Sequence, residues 1–296
     1  MSKTRPILQA KWNCSCRLKS FAVFLAGFLG FLFGSQAIVN AQGDLMITPR
    51  RVVFEGVKKS IDLNLANIGQ DSATYAISLV QIRMKEDGGY ETITEPDPDQ
   101  RFADRFIRFF PRSVTLGPNE AQAVKIQLIR SNELEPGEYR SHFYFRSVPK
   151  TTPLGEAEEE ARDTTNISVI LKPIFGITIP AIIRVGESTT KVTISDLGFE
   201  LVNDTVPRIS FVFNRSGNMS VFGDLAVDHI SANGKITRVG IANGVAVYTP
   251  NVRRRFQFNL NNVPGVNFKT GTLRVIYSAP SDVKPARFTE AELPLN

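Results

Sequence analysis

Apolar residues recur at every second position in segment after segment of this chain, and turn residues separate the segments. The pattern is clear at Ile61, Leu63 and Leu65, and it recurs at Val124/Ile126/Leu128, Tyr139/Phe143/Phe145, Val192/Ile194, Ile209/Phe211/Phe213, Leu225/Val227, Phe256/Phe258/Leu260 and Leu273/Val275/Tyr277. A period of two is the side-chain period of a β-strand, whose residues point alternately to the two faces of a sheet. Many short strands with frequent turns predict an all-β fold built from sandwiches.

Two local patterns refine this prediction. Tyr75, Ile77 and Leu79 alternate in one phase, and Ile82 and Met84 continue in the other phase. A change of phase predicts a β-bulge near Val80. In Pro136-Gly137-Glu138-Tyr139, a tyrosine follows a turn at the start of a late strand. An immunoglobulin-like sandwich places its tyrosine corner at such a position. Asp87-Gly88-Gly89, Asn233-Gly234 and Asn243-Gly244 are predicted turns.

The first 41 residues have the three parts of a secretory signal peptide. Five basic residues and no acidic residue come first, Phe21 to Gly34 is apolar, and Ile38-Val39-Asn40-Ala41 offers a small-residue cleavage site. The apolar part is shorter than the roughly 20 residues that span a bilayer. We therefore expect residues 1–41 to be a cleaved leader, the mature chain to start near Gln42, and no stable membrane insertion.

Removing this leader changes the charge balance. The chain has 35 Lys plus Arg against 29 Asp plus Glu, and without the five basic residues of the leader 30 remain. The mature part, with 30 basic against 29 acidic residues, is therefore close to neutral, which argues against nucleic acid as a partner. Both cysteines, Cys14 and Cys16, also lie in the leader. The mature chain is thus predicted to lack disulfides and cysteine metal sites, and its stability must come from apolar burial.

The sequence divides near its middle. Residues 42–150 and 185–296 each carry strand patterns of one domain, and residues 151–184 connect them. Thr151 to Thr165 is acidic and poor in β-formers, which is typical of a loop. Ile167 to Ile183 is apolar almost throughout, and such a run predicts a strand that is covered on both faces. Either this molecule covers both faces, or one face is left for a partner.

The first half contains four notable segments in this order: Thr48-Pro49-Arg50-Arg51-Val52-Val53-Phe54-Glu55-Gly56, Asn64-Leu65-Ala66-Asn67, Phe110-Pro111-Arg112-Ser113-Val114-Thr115-Leu116-Gly117-Pro118-Asn119-Glu120, and Glu138-Tyr139-Arg140-Ser141-His142-Phe143-Tyr144-Phe145. As an ordered set, these segments resemble the periplasmic pilus-assembly chaperones of Gram-negative bacteria. Together they cover residues 43 to 150. The second half is similar in style alone.

The resemblance implies two immunoglobulin-like β-sandwich domains set at an angle, with a cleft between them. It also implies a mechanism, in which the chaperone lends a strand to an incomplete pilus or fimbrial subunit and passes the subunit to an outer-membrane usher. The donor residues would be Ile167, Val169 and Leu171. Free copies of such a protein could also cap each other as a homodimer, because the donor strand is apolar.

The resemblance further implies two anchors for the terminal carboxylate of the client subunit. Arg51, counted back from Phe54, occupies the position of the family's cleft arginine, and a guanidinium can pair with a carboxylate through two hydrogen bonds. The second anchor of the family is a lysine. Aligning Pro180 with the proline that ends the donor strand places Phe175 at that position, so Lys172, three residues upstream, is the candidate.

Catalytic and cofactor chemistry finds little support in the sequence. The two histidines, His142 and His229, lack ligand spacing, and the alternation of His142 with Arg140, Tyr144 and Arg146 predicts a solvent-facing position. Phosphate-binding loops, nucleophile elbows and zinc motifs are absent from the sequence. We therefore expect no enzyme and no cofactor. The alternative to a chaperone is a secreted two-domain structural or adhesive module.

Overall fold

The computed structural model describes residues 45–149, 174–281 and 283–295. These residues form seventeen strands and two short 3-10 helices, Asp104–Phe106 and Ser131–Glu133. The strands are β1 (Leu45–Thr48), β2 (Val52–Phe54), β3 (Ser60–Asn67), β4 (Ala73–Met84), β5 (Tyr90–Ile93), β6 (Ile107–Phe110), β7 (Ser113–Leu116), β8 (Ala121–Leu128), β9 (Gly137–Val148), β10 (Gly176–Val185), β11 (Lys191–Val202), β12 (Val206–Ser216), β13 (Val221–Ile230), β14 (Ile236–Val247), β15 (Arg253–Asn259), β16 (Gly271–Ser278) and β17 (Arg287–Leu295).

The first sandwich contains β1 to β10. One sheet has the order β1-β3-β8-β6, and the other has the order β2-β10-β9-β4-β5 with β7 paired to β4. The alternating residues predicted above fill the space between the sheets, with Leu63, Leu65, Val124, Phe143 and Phe145 almost fully buried. The chain passes from one sheet to the other between β1 and β2. This crossing places Arg51 directly before β2.

The second sandwich contains β11 to β17. Its sheets have the orders β11-β12-β15 and β14-β13-β16-β17. Its core combines valine and leucine side chains with Phe211, Phe213 and Tyr277, and the ring centroid of Phe213 lies 4.9 Å from that of Tyr277. The hydroxyl of Tyr277 donates to the carbonyl of Val245, which satisfies its polar end. The predicted fold class, two immunoglobulin-like β-sandwiches, is confirmed.

The tyrosine corner is also confirmed. The hydroxyl oxygen of Tyr139 accepts a hydrogen bond of 3.0 Å from the backbone N–H of Glu135, four residues upstream. This bond connects Glu135, in the turn before β9, to Tyr139, near the start of that strand. It fixes where β9 enters the sheet.

Two local predictions were wrong. The ladder between β4 and β9 keeps one register from Thr74 to Val80, so the phase change is no bulge. Instead, Ile82 and Met84 lie on the opposite face of β4, where Met84 packs beneath the second sandwich. Asn243-Gly244 is a bulge inside β14 rather than a turn. Gly244 has φ +70°, and its N–H donates to the carboxylate of Asp224.

Candidate functional site: a basic cleft between the sandwiches

A cleft of about 1040 Å³ lies between the two sandwiches. We call it the interdomain cleft. The first sandwich lines it with Arg51, Val53 and Arg184, and the second sandwich lines it with Val221, Phe222 and Phe288, among others. The predicted arginine of the first strand motif therefore does lie in a cleft.

Arg51 is held in this cleft by an aromatic ring of the second sandwich. Its guanidinium carbon lies 3.7 Å from the ring centroid of Phe222, a cation–π arrangement. The Nε atom is buried and has no hydrogen-bond partner among the described residues. Burial lowers the pKa of Arg51, because it removes water from the charged form. The arrangement leaves a positioned cation with unused hydrogen-bonding capacity.

Arg184 is another guanidinium of the cleft, and the sequence patterns did not predict it. It lies at the end of β10, where its Nε donates to the Glu138 carboxylate at 3.2 Å and its Nη2 donates to the carbonyl of Ser220 at 2.9 Å. Glu55 lies 3.9 Å from its Nη1. Each nitrogen of the Arg184 guanidinium thus has a polar protein group as its partner. In the sequence, Arg184 could have been recognised as a charged residue within an apolar strand, because a charge that becomes buried requires a partner.

Glu138 joins the two sandwiches from β9. Its carboxylate is fully buried, and besides Arg184 it accepts hydrogen bonds from the N–H and hydroxyl of Ser220 and from the hydroxyl of Thr249. Ser220 and Thr249 both belong to the second sandwich. A single buried carboxylate is therefore bonded to a cleft-lining residue of each sandwich, Arg184 and Ser220.

The other predicted site residues lie outside the described residues. These are the second anchor Lys172 and the donor residues Ile167, Val169 and Leu171. Phe175, at the position where the resemblance expects a lysine, is described and is 59% exposed. The structure therefore places Arg51 in the cleft and does not test the remaining assignments.

The described part of the apolar run divides into two halves. From Ile179 to Ile183 both faces of β10 are covered: Ile179, Ala181 and Ile183 face the first core, and Ile182 faces the second sandwich. The preceding residues Ile174, Phe175 and Ile177 are exposed. Of the two interpretations that the sequence left open, coverage by the molecule itself holds for Ile179 to Ile183.

One edge of β10 is also open at its start. Antiparallel pairing with β9 extends over the whole strand, from Gly176 to Val185. Parallel pairing with β2 involves Ala181, Ile182 and Ile183 alone among the described residues. On the side facing away from β9, the backbone from Gly176 to Pro180 therefore has no neighbouring strand among the described residues, and exposed apolar side chains lie next to it. Such an edge is a template for pairing with another strand.

The solvent-facing position predicted for His142 was wrong. His142 and Arg140 are both buried, because the second sandwich covers this face of β9. His142 lies between the rings of Tyr90 and Tyr248, and the Nη2 of Arg140 donates to the carbonyl of Thr249. Burial, and then the charge of Arg140, lower the pKa of His142 to about 3. The imidazole is therefore neutral at ordinary pH.

The described residues contain neither a metal-binding cluster nor a membrane-spanning helix. No group of three or more His, Cys, Asp or Glu side chains in the described ranges is arranged to hold a metal ion. Within the same ranges, no helix has the length and apolar character needed to cross a membrane.

Comparisons with known proteins gave matches among solved structures. No family model and no curated protein matches the chain. The YadV chaperone is 16% identical, with a TM-score of 0.43 and coverage of 85% of this chain and 100% of that one. The CsuC–CsuE chaperone–tip adhesion subunit complex of Acinetobacter baumannii is 10% identical, with a TM-score of 0.43 and coverage of 83% and 98%. The periplasmic chaperone SfaE is 8% identical, with a TM-score of 0.38 and coverage of 82% and 98%.

Chaperones of fimbriae are thus prominent among the similar solved structures, as the sequence resemblance predicts. With identities of 16% or less and TM-scores below 0.5, the similarity carries no weight in assigning the function. The contacts of the interdomain cleft and the open edge of β10 carry that assignment.

Proposed function

We propose that the protein is a periplasmic chaperone that binds pilus or fimbrial subunits by lending them a β-strand. One observation carries the proposal. The start of β10 has an open edge with exposed apolar side chains. The far end of the same strand, at Arg184, lines the interdomain cleft, which also contains Arg51. An extended client segment paired along this edge would reach the cleft with its end.

The open edge suits an incomplete client. A sandwich that lacks one strand exposes a groove and unpaired backbone groups, which makes it prone to aggregation. Exposed Ile174, Phe175 and Ile177 offer apolar surface to fill such a groove, and the side of the Gly176 to Pro180 backbone that faces away from β9, without a partner among the described residues, offers hydrogen bonds. The upstream residues Ile167, Val169 and Leu171 would extend the donated strand in this proposal.

Arg51 would receive the terminal carboxylate of the client. Its buried Nε has no partner among the described residues, and its guanidinium packs against the ring of Phe222. Hydrogen bonds between a guanidinium and a carboxylate are about twice as strong as neutral ones. Lys172 is the proposed second anchor.

The remaining parts of the proposal follow the sequence resemblance. Residues 1–41 would direct export, and an outer-membrane usher would receive the loaded subunit. The chaperone would act by binding alone, without catalysis or cofactor, and the free protein could cap itself as a homodimer.

Co-purification from periplasm tests the proposal. The full chain, tagged at its carboxyl end, is expressed in its own host, and mass spectrometry identifies the proteins that elute with it. We expect a subunit whose sequence predicts a sandwich that lacks a strand. Arg51→Ala should reduce its recovery at least tenfold, because the buried guanidinium provides the charge-assisted bonds.

Two further variants separate binding from folding. Arg108→Ala removes an exposed charge outside the interdomain cleft and should retain the client. Arg51→Lys keeps the charge but not the planar fork, and should bind weakly. The proposal fails if Arg51→Ala, shown by circular dichroism to be folded, recovers as much client as the wild type.

A further inference from the structure

Basic side chains line the interdomain cleft far in excess of acidic ones. There are six of them against one carboxylate, Glu55: Arg50, Arg51, Lys58, Arg184, Lys191 and Arg287. The mature chain as a whole is close to neutral, with 30 basic residues left from 35 against 29 acidic ones. The positive charge of the cleft is therefore a local concentration. A cleft lined by one sign of charge focuses its field on the ligand.

Four of these six cations, Arg51 among them, have no carboxylate partner in the described part of the chain. Arg184 is paired with Glu138 at 3.2 Å, and Arg287 is paired with Glu290 at 2.6 Å. Arg50, Lys58 and Lys191 form no salt bridge with any described residue, and all three are exposed. One terminal carboxylate at Arg51 would leave these three charges without a counterpart.

Apolar side chains lie among the free cations. Val53, Val221, Phe222 and Phe288 line the same cleft. An extended segment presents alternate side chains on opposite sides. A segment that alternates acidic and apolar residues would therefore match both the charges and the apolar surface.

We propose that the interdomain cleft selects clients whose carboxyl-terminal segment alternates acidic with apolar side chains. This inference rests on the proposed function and names the chemistry of its client. Arg51 takes the terminal carboxylate, whereas Lys58 and Lys191 take acidic side chains further upstream. Each exposed ion pair of this kind strengthens binding by about threefold.

Fluorescence anisotropy with short synthetic peptides tests the inference on the full mature protein. All peptides alternate valine with polar residues, and they carry either two aspartates or two asparagines near the carboxyl end. Each is made with a free and with an amidated terminus. We expect the aspartate peptide to bind about tenfold more tightly than the asparagine peptide. This preference should vanish at about 1 M salt, where the Debye length is about 3 Å.

Charge variants assign the preference to the cleft. Lys58→Gln/Lys191→Gln should bind aspartate and asparagine peptides equally and should still prefer the free terminus. The matched control, Lys125→Gln/Lys269→Gln, changes two exposed lysines outside the cleft and should behave as the wild type.

Different results would overturn different statements. Equal binding of aspartate and asparagine peptides by the wild type overturns the present inference, and so does equally tight binding of an oligonucleotide of the same charge. Equal binding of free and amidated peptides, with the aspartate preference retained, overturns the carboxylate anchor of the proposed function instead.

Discussion

His142 lies buried between Tyr90 and Tyr248, with Arg140 two residues away on the same face of β9. Its pKa falls to about 3, first because of burial and then because of the charge of Arg140. The unfolded chain binds a proton at this residue below about pH 6.5, whereas the folded protein does not. Lowering the pH through this window therefore favours the unfolded state.

We expect the wild type to lose stability through His142 between about pH 6.5 and pH 3, by up to about 1.4 kcal/mol per pH unit. His142→Phe keeps an aromatic ring between the two tyrosines and removes the titration. Urea unfolding followed by circular dichroism at several pH values gives the free energies. The difference between variant and wild type should grow as the pH falls. Parallel curves for the two proteins would refute this account.

The residue scale also shows what alternation can predict. Tyr139, Phe143 and Phe145 were predicted to face the core and do so. Arg140 and His142 were assigned to solvent because they are polar, yet the second sandwich covers them. A period of two separates the two faces of a strand, but it does not distinguish a face covered by water from one covered by another domain.

At the scale of elements, β10 was foreseen in part. The apolar run predicted a strand with both faces covered, and Ile179 to Ile183 has that arrangement. The extent of pairing with β2 could not be predicted, because it depends on where the chain crosses between sheets after β1. The three-residue pairing is what leaves the start of β10 open.

Removing the apolar side chains at this open start should weaken client binding. We expect Ile174→Ser/Phe175→Ser/Ile177→Ser to weaken binding of the co-purified client at least tenfold, since each buried apolar side chain contributes about 1.5–3 kcal/mol. Binding is measured by surface plasmon resonance, with the chaperone variant immobilised and the client subunit injected immediately after dilution from denaturant. The melting temperature should change little, because all three side chains are exposed in the free protein.

The control for this variant changes exposed apolar residues elsewhere. Ile236→Ser/Ile241→Ser alters two residues of β14 that are 55% and 59% exposed and lie outside the cleft. It should bind the client as the wild type does. If both variants lose binding to the same degree, general surface hydrophobicity rather than the edge of β10 is responsible.

At the scale of the whole molecule, the two sandwiches share a buried interface. Met84 and Ile182 from the first sandwich pack with Ala246 and Tyr248 from the second. The backbone N–H of Arg255, in β15, donates to the carbonyl of Glu86 at the tip of the β4–β5 hairpin. The cleft therefore has walls that are fixed relative to each other. Sequence patterns predicted two sandwiches, but these contacts pair residues too far apart in the chain to be read from local periodicity.

Glu138 should contribute most to this interface among its polar groups. Glu138→Ala leaves Arg184, Ser220 and Thr249 without their shared acceptor, and breaking a buried ion pair costs about 3–5 kcal/mol. Because Arg184 is partly exposed, we expect a loss near the lower end, about 3 kcal/mol, in the free energy of unfolding. Urea unfolding measures it. Hydrogen exchange at the amide of Ser220, which donates to Glu138, should become faster.

A charge change at the surface provides the comparison. Glu91→Ala removes an exposed carboxylate that lies 3.4 Å from Arg83, and an exposed pair contributes at most about 1 kcal/mol. This variant should leave exchange at Ser220 unchanged. If Glu138→Ala costs no more than Glu91→Ala, the buried carboxylate does not hold the sandwiches together, and the apolar cluster around Tyr248 must do so. If it costs more and exchange at Ser220 accelerates, the shape of the cleft depends on one side chain of β9, whose loss should also weaken peptide binding at Arg51.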